Sequence, residues 1–266
     1  MSDAPPDDRP VVVVTGGGGG IGAAIAERLG REGWFVVTAD PLVSLDGSEQ
    51  LPAPAETTAG RIVAAGGAAR ASAVSVTDGD AVRELFRGLV DEFGRLDAVI
   101  NVAGISRPTG FAKGGEEDWR GVLSVHLDGY LNVLGAALPI MAAAGSGRIL
   151  GVTSGSGWRQ ADAGAYACAK RAVAALTWQL GRQAPAGVAV NAMSPIAVTR
   201  MVTAALGAAR GKGGAGSSGP STGGAGSGAP ATGGLSLGSM PAPEQLGPFA
   251  AHLVSETIAW SSGRVF

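Results

Sequence analysis

Charge is sparse in this chain, and cysteine, histidine and aromatic residues are sparser still. Asp, Glu, Lys and Arg make up 16% of 266 residues and leave a formal net charge of -2. No basic footprint for nucleic acid is therefore present. The one cysteine, Cys168, rules out a disulfide within the chain and suits a reducing compartment, so a cytoplasmic protein is expected. Cys168 itself reads as a small packing residue, and no metal site is expected. No apolar run approaches the roughly 20 residues that a membrane span needs, and no membrane partner is expected. The first ten residues, M-S-D-A-P-P-D-D-R-P, are acidic and proline-rich. They lack the basic-then-apolar order of a signal peptide and are expected to form a disordered tail.

What the chain has in excess is glycine, 45 residues, and one stretch uses it with a purpose. Val11 to Val14 form a β-branched run of the kind found in a strand buried on both faces. Thr15 and five glycines follow, then Ile21, Gly22 and a helical segment. Strand, glycine turn and helix opening in that order turn a glycine motif into a nucleotide site. The glycines allow positive φ and close approach of a pyrophosphate, and the helix N-terminus offers free N–H groups. The next strand, W-F-V-V-T-A-D, ends at Asp40, about 20 residues on, where a carboxylate can accept from ribose hydroxyls. A 2′-phosphate would be repelled there, and neither Ala39 nor Pro41 offers a cation, so NAD is expected over NADP. An acidic residue that merely ends a strand remains the alternative.

The rest of the chain continues the alternation. Leu42 to Gly60 carries several helix breakers and reads as an inserted loop before a short helix, R-I-V-A-A-G-G. A third strand is expected over A-R-A-S-A-V-S-V, including Ser75 and Val76. Thr77 or Asp78 is expected to cap the next helix, D-A-V-R-E-L-F-R-G-L-V-D-E-F-G. A fourth strand, L-D-A-V-I, leads to N-V-A-G at Asn101, Val102, Ala103 and Gly104. A polar loop over 105–118 precedes a long helix that carries His126, then a fifth strand ending at Ser154. After a helix with Tyr166 and Lys170 comes a sixth strand, V-A-V-N-A-M, and the loop S-P-I-A-V-T with Pro195, Val198 and Thr199. Residues 207–240 are low in complexity and cannot bury enough apolar surface to order by themselves. A last helix starts near Pro243, and G-R-V-F could supply a seventh strand. This order predicts one α/β domain over 11–266, a Rossmann-type doubly wound parallel sheet of about seven strands with helices on both faces. Gly16, Gly20, Ile21, Gly22, Asp40, Asn101, Ala103, Gly104, Ser154 and Pro195 to Thr199 would converge at the carboxyl ends of the strands, where such sheets bind ligands.

Tyr166 and Lys170 are four apart and leave one helix face together. A phenol with a pKa of about 10 transfers protons poorly near neutrality, and a nearby ammonium favours its phenolate. Ser154 could hold the same oxygen. Taken alone, Tyr-x-x-x-Lys also describes an ordinary half-exposed helix face; the surrounding motifs decide otherwise.

T-G-G-G-G-G-I-G, Asp40, N-V-A-G, Ser154, Tyr166-x-x-x-Lys170 and S-P-I-A-V-T together resemble the classical short-chain dehydrogenase/reductase family over nearly the whole chain. The resemblance implies that Tyr166 is the general acid/base and that Ser154 orients the substrate oxygen. Lys170 would lower the Tyr pKa and hold the nicotinamide ribose, and Thr199 would touch the carboxamide. It also implies a small-molecule substrate and a homo-oligomer, tetramer or dimer. Four departures stand out. His126 occupies the place of a central-helix Asn that belongs to a water-linked proton relay in the family; His126 would serve that relay or be structural. Ser75 stands where many members have an Asp at the adenine. Ile196 replaces the Gly of Pro-Gly, and the family normally continues beyond the seventh strand. The V-S-L-D-G-S insertion, V-H-L-D-G and E-E-D-W further resemble the dehydrogenase domain of peroxisomal-type multifunctional enzymes, which oxidise (3R)-hydroxyacyl-CoA with NAD. A non-catalytic NAD-binding sensor or scaffold, and a lyase or epimerase using bound NAD, are the competing readings. Segment 207–240 would be either a lid over substrate or a spacer.

Overall fold

The computed structural model describes residues 8–158, 163–199, 201–204 and 240–266. Six parallel strands form one sheet in the order β3-β2-β1-β4-β5-β6. They are β1 (Val11–Thr15), β2 (Phe35–Ala39), β3 (Ala68–Ser72), β4 (Ala98–Asn101), β5 (Gly147–Val152) and β6 (Val188–Met193). The helices between them are α1 (Gly20–Arg31), α2 (Thr58–Ala64), α3 (Gly79–Phe93), α4 (Glu116–Leu123), α5 (Gly129–Ala144) and α6 (Gly164–Gln183), with α7 (Gly247–Leu253) near the end.

The valine run shows why the sheet lies where it does. All four valines of β1 have no exposed surface. Successive side chains point to opposite faces, so Val11 and Val13 enter a core with Phe86, Leu89, Val133 and Met141. Val12 and Val14 enter the other, with Ile25, Leu29, Ala250 and Leu253. Helices α3 and α5 thus cover one face, and α1 and α7 the other. The strand order reverses between β1 and β4, which opens the crevice where the glycine turn sits.

Several boundaries differ from the sequence reading. β3 ends at Ser72 instead of running to Val76. Beyond it Ser75 Oγ pairs with Thr77 Oγ1 at 2.8 Å, and the Ser75 hydroxyl accepts from Thr77 N, forming a turn that leaves the sheet. Asp78, of the two candidates, caps α3, accepting from Ala81 N at 3.0 Å. The seventh strand is reduced to one parallel bridge, Ala192 to Val265. Gly263, at φ 75°, turns the chain in and donates to Val190 O, Arg264 O accepts from Ala192 N, and Phe266 N donates to Ala192 O around that bridge. Just before β1, the Pro10 carbonyl accepts from Phe35 N at 2.9 Å. The expected tail over residues 1–7 and the Gly-rich segment 207–239 lie outside the described residues, whereas Met240 is buried.

The inserted loop is more organised than its breakers suggest. Val43 and Gln50 bridge in antiparallel fashion, and Asp46 gathers Ser44 and Ser48 hydroxyls. These bonds hold the Asp46 carboxyl down at about 2. The hairpin docks on the segment after β4: Ser106 N donates to Leu45 O at 2.8 Å and Arg107 Nε to Asp46 O at 2.6 Å.

The helix spanning Glu116–Ala144 has the length and mean hydropathy, 1.3, of a membrane span. The sequence reading found no such run. Tyr130, Val133, Ala137 and Met141 of this helix are fully buried against the sheet, which is the placement of a core helix.

Candidate active site

The glycine turn is fixed from below by a residue the sequence reading used only as punctuation. Thr15 Oγ1 donates to Asn101 Oδ1 at 2.8 Å and accepts from Ala103 N at 3.3 Å. This ties the carboxyl end of β1 to that of β4. Gly16, at φ 66°, lies so close to β4 that a Cβ there would stand 2.8 Å from Ala103 N. Its own N–H bonds the Ala39 carbonyl at the end of β2. Three strand ends are thereby drawn together.

Helix α1 begins at Gly20 with no side-chain cap on Gly19 and no acid in its first turn. No side chain engages its first N–H groups, and the macrodipole favours an anion there. Ile21 packs on the α1 core and Gly22 abuts Gly16. Asp40, one residue past β2, accepts from Gly18 N at 2.9 Å and Leu42 N at 2.8 Å. Its carboxylate is thus held facing the turn by backbone alone.

Thr199 closes the other side. Its methyl lies 3.7 Å from where a Gly20 Cβ would be, and its hydroxyl accepts from Val202 N. Val198 N donates to Pro241 O. Pro195 starts this segment, just past β6. An open cavity of about 720 Å3 lies here, lined by Gly20, Ala23, Arg61, Val198, Thr199 and Glu244 among others. Ser154, Tyr166 and Lys170 are not among its lining residues. Past β3, Ser75 forms its turn with Thr77, and Val76 O accepts from Asn132 of α5 at 2.9 Å.

Ser154, Tyr166 and Lys170 are assembled by β5 and α6. Thr153 Oγ1 donates to the Lys170 carbonyl at 2.6 Å, and Lys170 Nζ donates to the Val152 carbonyl at 2.8 Å. These two crossed bonds clamp α6 against the end of β5. Ser154 follows at once, its hydroxyl accepting from Ser156 N at 3.2 Å and near enough to the Tyr166 phenol to favour the phenolate. Thr109 Oγ1 donates to Ala163 O at 3.0 Å, anchoring the loop before α4 to the start of α6. Cys168, expected as a packing residue, is exposed on the far side of the helix.

His126 completes the cluster. It lies on a π-helical turn, Ser124–Asp128, between α4 and α5. The wider turn rotates its ring inward, where it is 2% exposed and stands edge-on to Tyr166 at 5.1 Å between centroids. No spacing rule on an α-helix would have placed it there.

Electrostatics here follow burial. Lys170, 3% exposed, is pushed down to about 8 by desolvation. His126 is pushed down to about 3 by burial, then by repulsion from Lys170, against a backbone bond to Ile105. The sequence reading has Lys170 lower the Tyr166 pKa. In this geometry burial of the hydroxyl raises it, and the Ser154 hydrogen bond opposes the rise. The reason is positional: Lys170 Nζ is turned to Val152 O and stands 5.8 Å from the phenol ring centroid. At neutral pH the cluster therefore holds a neutral phenol, an ammonium and a neutral imidazole. Such a set can give a proton to an oxyanion formed beside Tyr166 and Ser154.

Comparison with known proteins places the chain in a family. The family model described as short chain dehydrogenase matches residues 10–210. Short-chain reductase protein NovJ of Streptomyces niveus is 37% identical over 176 residues, 66% of this chain and 64% of that protein. The chain thus spans just under two thirds of NovJ. The 3-oxoacyl-[acyl-carrier-protein] reductase of Synechocystis sp. is 33% identical over 66% of this chain and 68% of its own length. Among solved structures, an NAD(P)-dependent gluconate 5-dehydrogenase from Beutenbergia cavernae with bound NADP superposes with a TM-score of 0.76. It is 29% identical, covering 97% of this chain and 94% of that one. A glycine turn after β1, a Ser-Tyr-Lys cluster built on a buried lysine and a family match over three quarters of the chain make one conclusion: the protein is a member of the short-chain dehydrogenase/reductase family.

Proposed function

We propose that the protein is an oxidoreductase that moves a hydride between NAD(H) and the carbon of a secondary alcohol or ketone. The observation that carries this is the assembly of Ser154, Tyr166 and Lys170 at the end of β5, beside the glycine turn. NAD, when bound, accepts or donates the hydride. The chain's own residues supply position and protons. Gly16 to Gly22 and the α1 N-terminus would hold the pyrophosphate, a fit supported by the uncapped helix and the close-packed turn. Ser154 would hold the substrate oxygen beside the phenol. In reduction Tyr166 gives its proton to that oxygen as the carbonyl carbon receives the hydride. In oxidation the phenolate takes the proton back. Lys170, whose ammonium donates to Val152 O, would hold the nicotinamide ribose.

Asp40 supports NAD over NADP. Both its oxygens are bonded to backbone N–H groups and face the turn, and a 2′-phosphate would meet this charge at short range. The solved relative with bound NADP stands on the other side of this question, so cofactor choice has its own test. Wild type should use NADH at least tenfold better than NADPH in kcat/KM, and Asp40→Ala should erase most of that gap. Equal use of both by the wild type would remove the role given to Asp40.

A 3-hydroxyacyl or 3-oxoacyl thioester is the substrate class we infer. The insertion after Asp40 and the similarity to a 3-oxoacyl-[acyl-carrier-protein] reductase support it. The same reading makes residues 11–266 one catalytic domain of a cytoplasmic homo-oligomer. The half-exposed Trp158 and Trp178 pair, 5.7 Å apart on the α6 side, supports a further subunit contact.

A further inference from the structure

Asp40 is aimed by a strained neighbour. Leu42 has φ 56°, the one positive φ among the described residues that are not glycine, a conformation that the Cβ of any L-residue opposes. That backbone turns the Leu42 N–H onto Asp40 Oδ1 at 2.8 Å, while Gly18 N holds Oδ2 at 2.9 Å. Leucine does not favour such a turn, so the contacts around it must impose it. They come from the hairpin. Leu51 N donates to Leu42 O at 2.7 Å, and Gln50 Nε2 donates to Pro41 O at 2.5 Å and to Leu42 O at 3.1 Å.

The hairpin is itself anchored at its tip. Gly47, at φ 74°, comes so close to Ile105 that a Cβ there would stand 3.1 Å from the Ile105 Cγ2. Arg107, half-buried, donates from Nε to Asp46 O at 2.6 Å and reaches the Glu117 carbonyl of α4 with Nη1 at 3.5 Å. Gly121 of α4 leaves room for this, because a Cβ there would stand 2.6 Å from Arg107 Nη1. A glycine inside a helix costs about 1 kcal/mol against alanine, and here the guanidinium lies where a side chain would be.

Resting on the reading of Asp40 as the ribose acceptor, we infer that Arg107 is a positioning residue for cofactor choice. It latches the tip of the 42–50 hairpin to the segment after β4, and so keeps Leu42 in its left-handed turn and the Asp40 carboxylate on the nucleotide site. Without the latch Leu42 relaxes to negative φ and its N–H leaves Asp40 Oδ1. The carboxylate is then held by Gly18 N alone and swings away from the place of a 2′-phosphate. Discrimination against NADPH falls, because it depends on a charge fixed at short range. Arg107 acts without touching the cofactor. A cation in contact would attract NADPH, the more anionic of the two, more than NADH.

Binding of NADH and of NADPH, followed by the fluorescence of the reduced nicotinamide, tests this without turnover. In Arg107→Met the Kd for NADH should rise about fivefold, while the Kd for NADPH stays level or falls. Equal losses for both would make Arg107 a general support of the fold, and a larger loss for NADPH would make it a direct phosphate contact. Either result overturns the proposal, as would unchanged affinities. Gly121→Ala is the second variant: alanine strengthens the helix, and its Cβ displaces the guanidinium. The ratio of the NADPH Kd to the NADH Kd should fall there too, by about twofold, and an unchanged ratio refutes the latch. Amide exchange over residues 42–51 of the cofactor-free protein should be about tenfold faster in Arg107→Met; unchanged exchange also refutes it. A wild type that binds NADH and NADPH equally would count against the Asp40 reading alone, and the exchange would still decide whether Arg107 holds the hairpin.

Discussion

Tyr166→Phe should lower ketone reduction by roughly 10³-fold while leaving NADH affinity within about twofold. The substitution removes one oxygen and nothing else. That oxygen is the proton donor of the cluster, and burial keeps it protonated at neutral pH. Ser154 remains, but an aliphatic hydroxyl is a far weaker acid than a phenol. The ring itself stays to pack against His126, so the cluster's shape is preserved. The loss should therefore fall on kcat, about 4 kcal/mol in the barrier, and hardly on cofactor binding. Steady-state kinetics and an NADH titration of the variant check both halves. Retention of more than a tenth of wild-type kcat would assign the proton to another group.

The second large effect is on stability in acid. His126 titrates near 6.5 in an unfolded chain and is held down at about 3 in the fold. Below pH 6.5 the unfolded chain therefore binds a proton that the folded chain refuses. The stability this group confers is complete above pH 6.5 and is lost progressively as pH falls toward 3. The full loss is about 5 kcal/mol, comparable with the whole stability of a modest domain. Lys170 stays charged over this range, so it adds no slope of its own. Urea unfolding at pH 7 and pH 4 should show wild type losing about 3 kcal/mol more than His126→Asn. Equal losses would mean that His126 is protonated in the fold, at odds with its burial against Lys170.

These two predictions draw on different kinds of legibility. The Tyr166 role rests on local spacing: four residues on one helix, a glycine turn after a valine strand, a carboxylate at the end of the next. Each is short-range, so the sequence carries it almost unaltered into the fold. The valine run even carries both cores, because alternate side chains sort themselves to opposite faces of the sheet. His126 is different. Its position in the chain was visible, but its inward ring depends on a π-helical turn whose extra residue per turn no periodicity reveals. The direction of the Tyr166 shift was also hidden, because the spacing places Lys170 nearby without saying that its amine turns to Val152 O. The insertion after Asp40 looked like a loop because its docking partners, Ser106 and Arg107, lie about 60 residues away. β3 ended early for the same kind of reason: the Ser75–Thr77 turn and the Asn132 bond to Val76 O draw the chain off the sheet.

The most direct test of the account is the disappearance of NADH on mixing the protein with acetoacetyl-CoA, measured beside NADPH. The account predicts turnover that prefers NADH and yields one 3-hydroxybutyryl thioester per NADH consumed. NADH that binds tightly but is never consumed, with this thioester or with a panel of simple ketones, would contradict hydride transfer as the function of the Ser154, Tyr166 and Lys170 cluster.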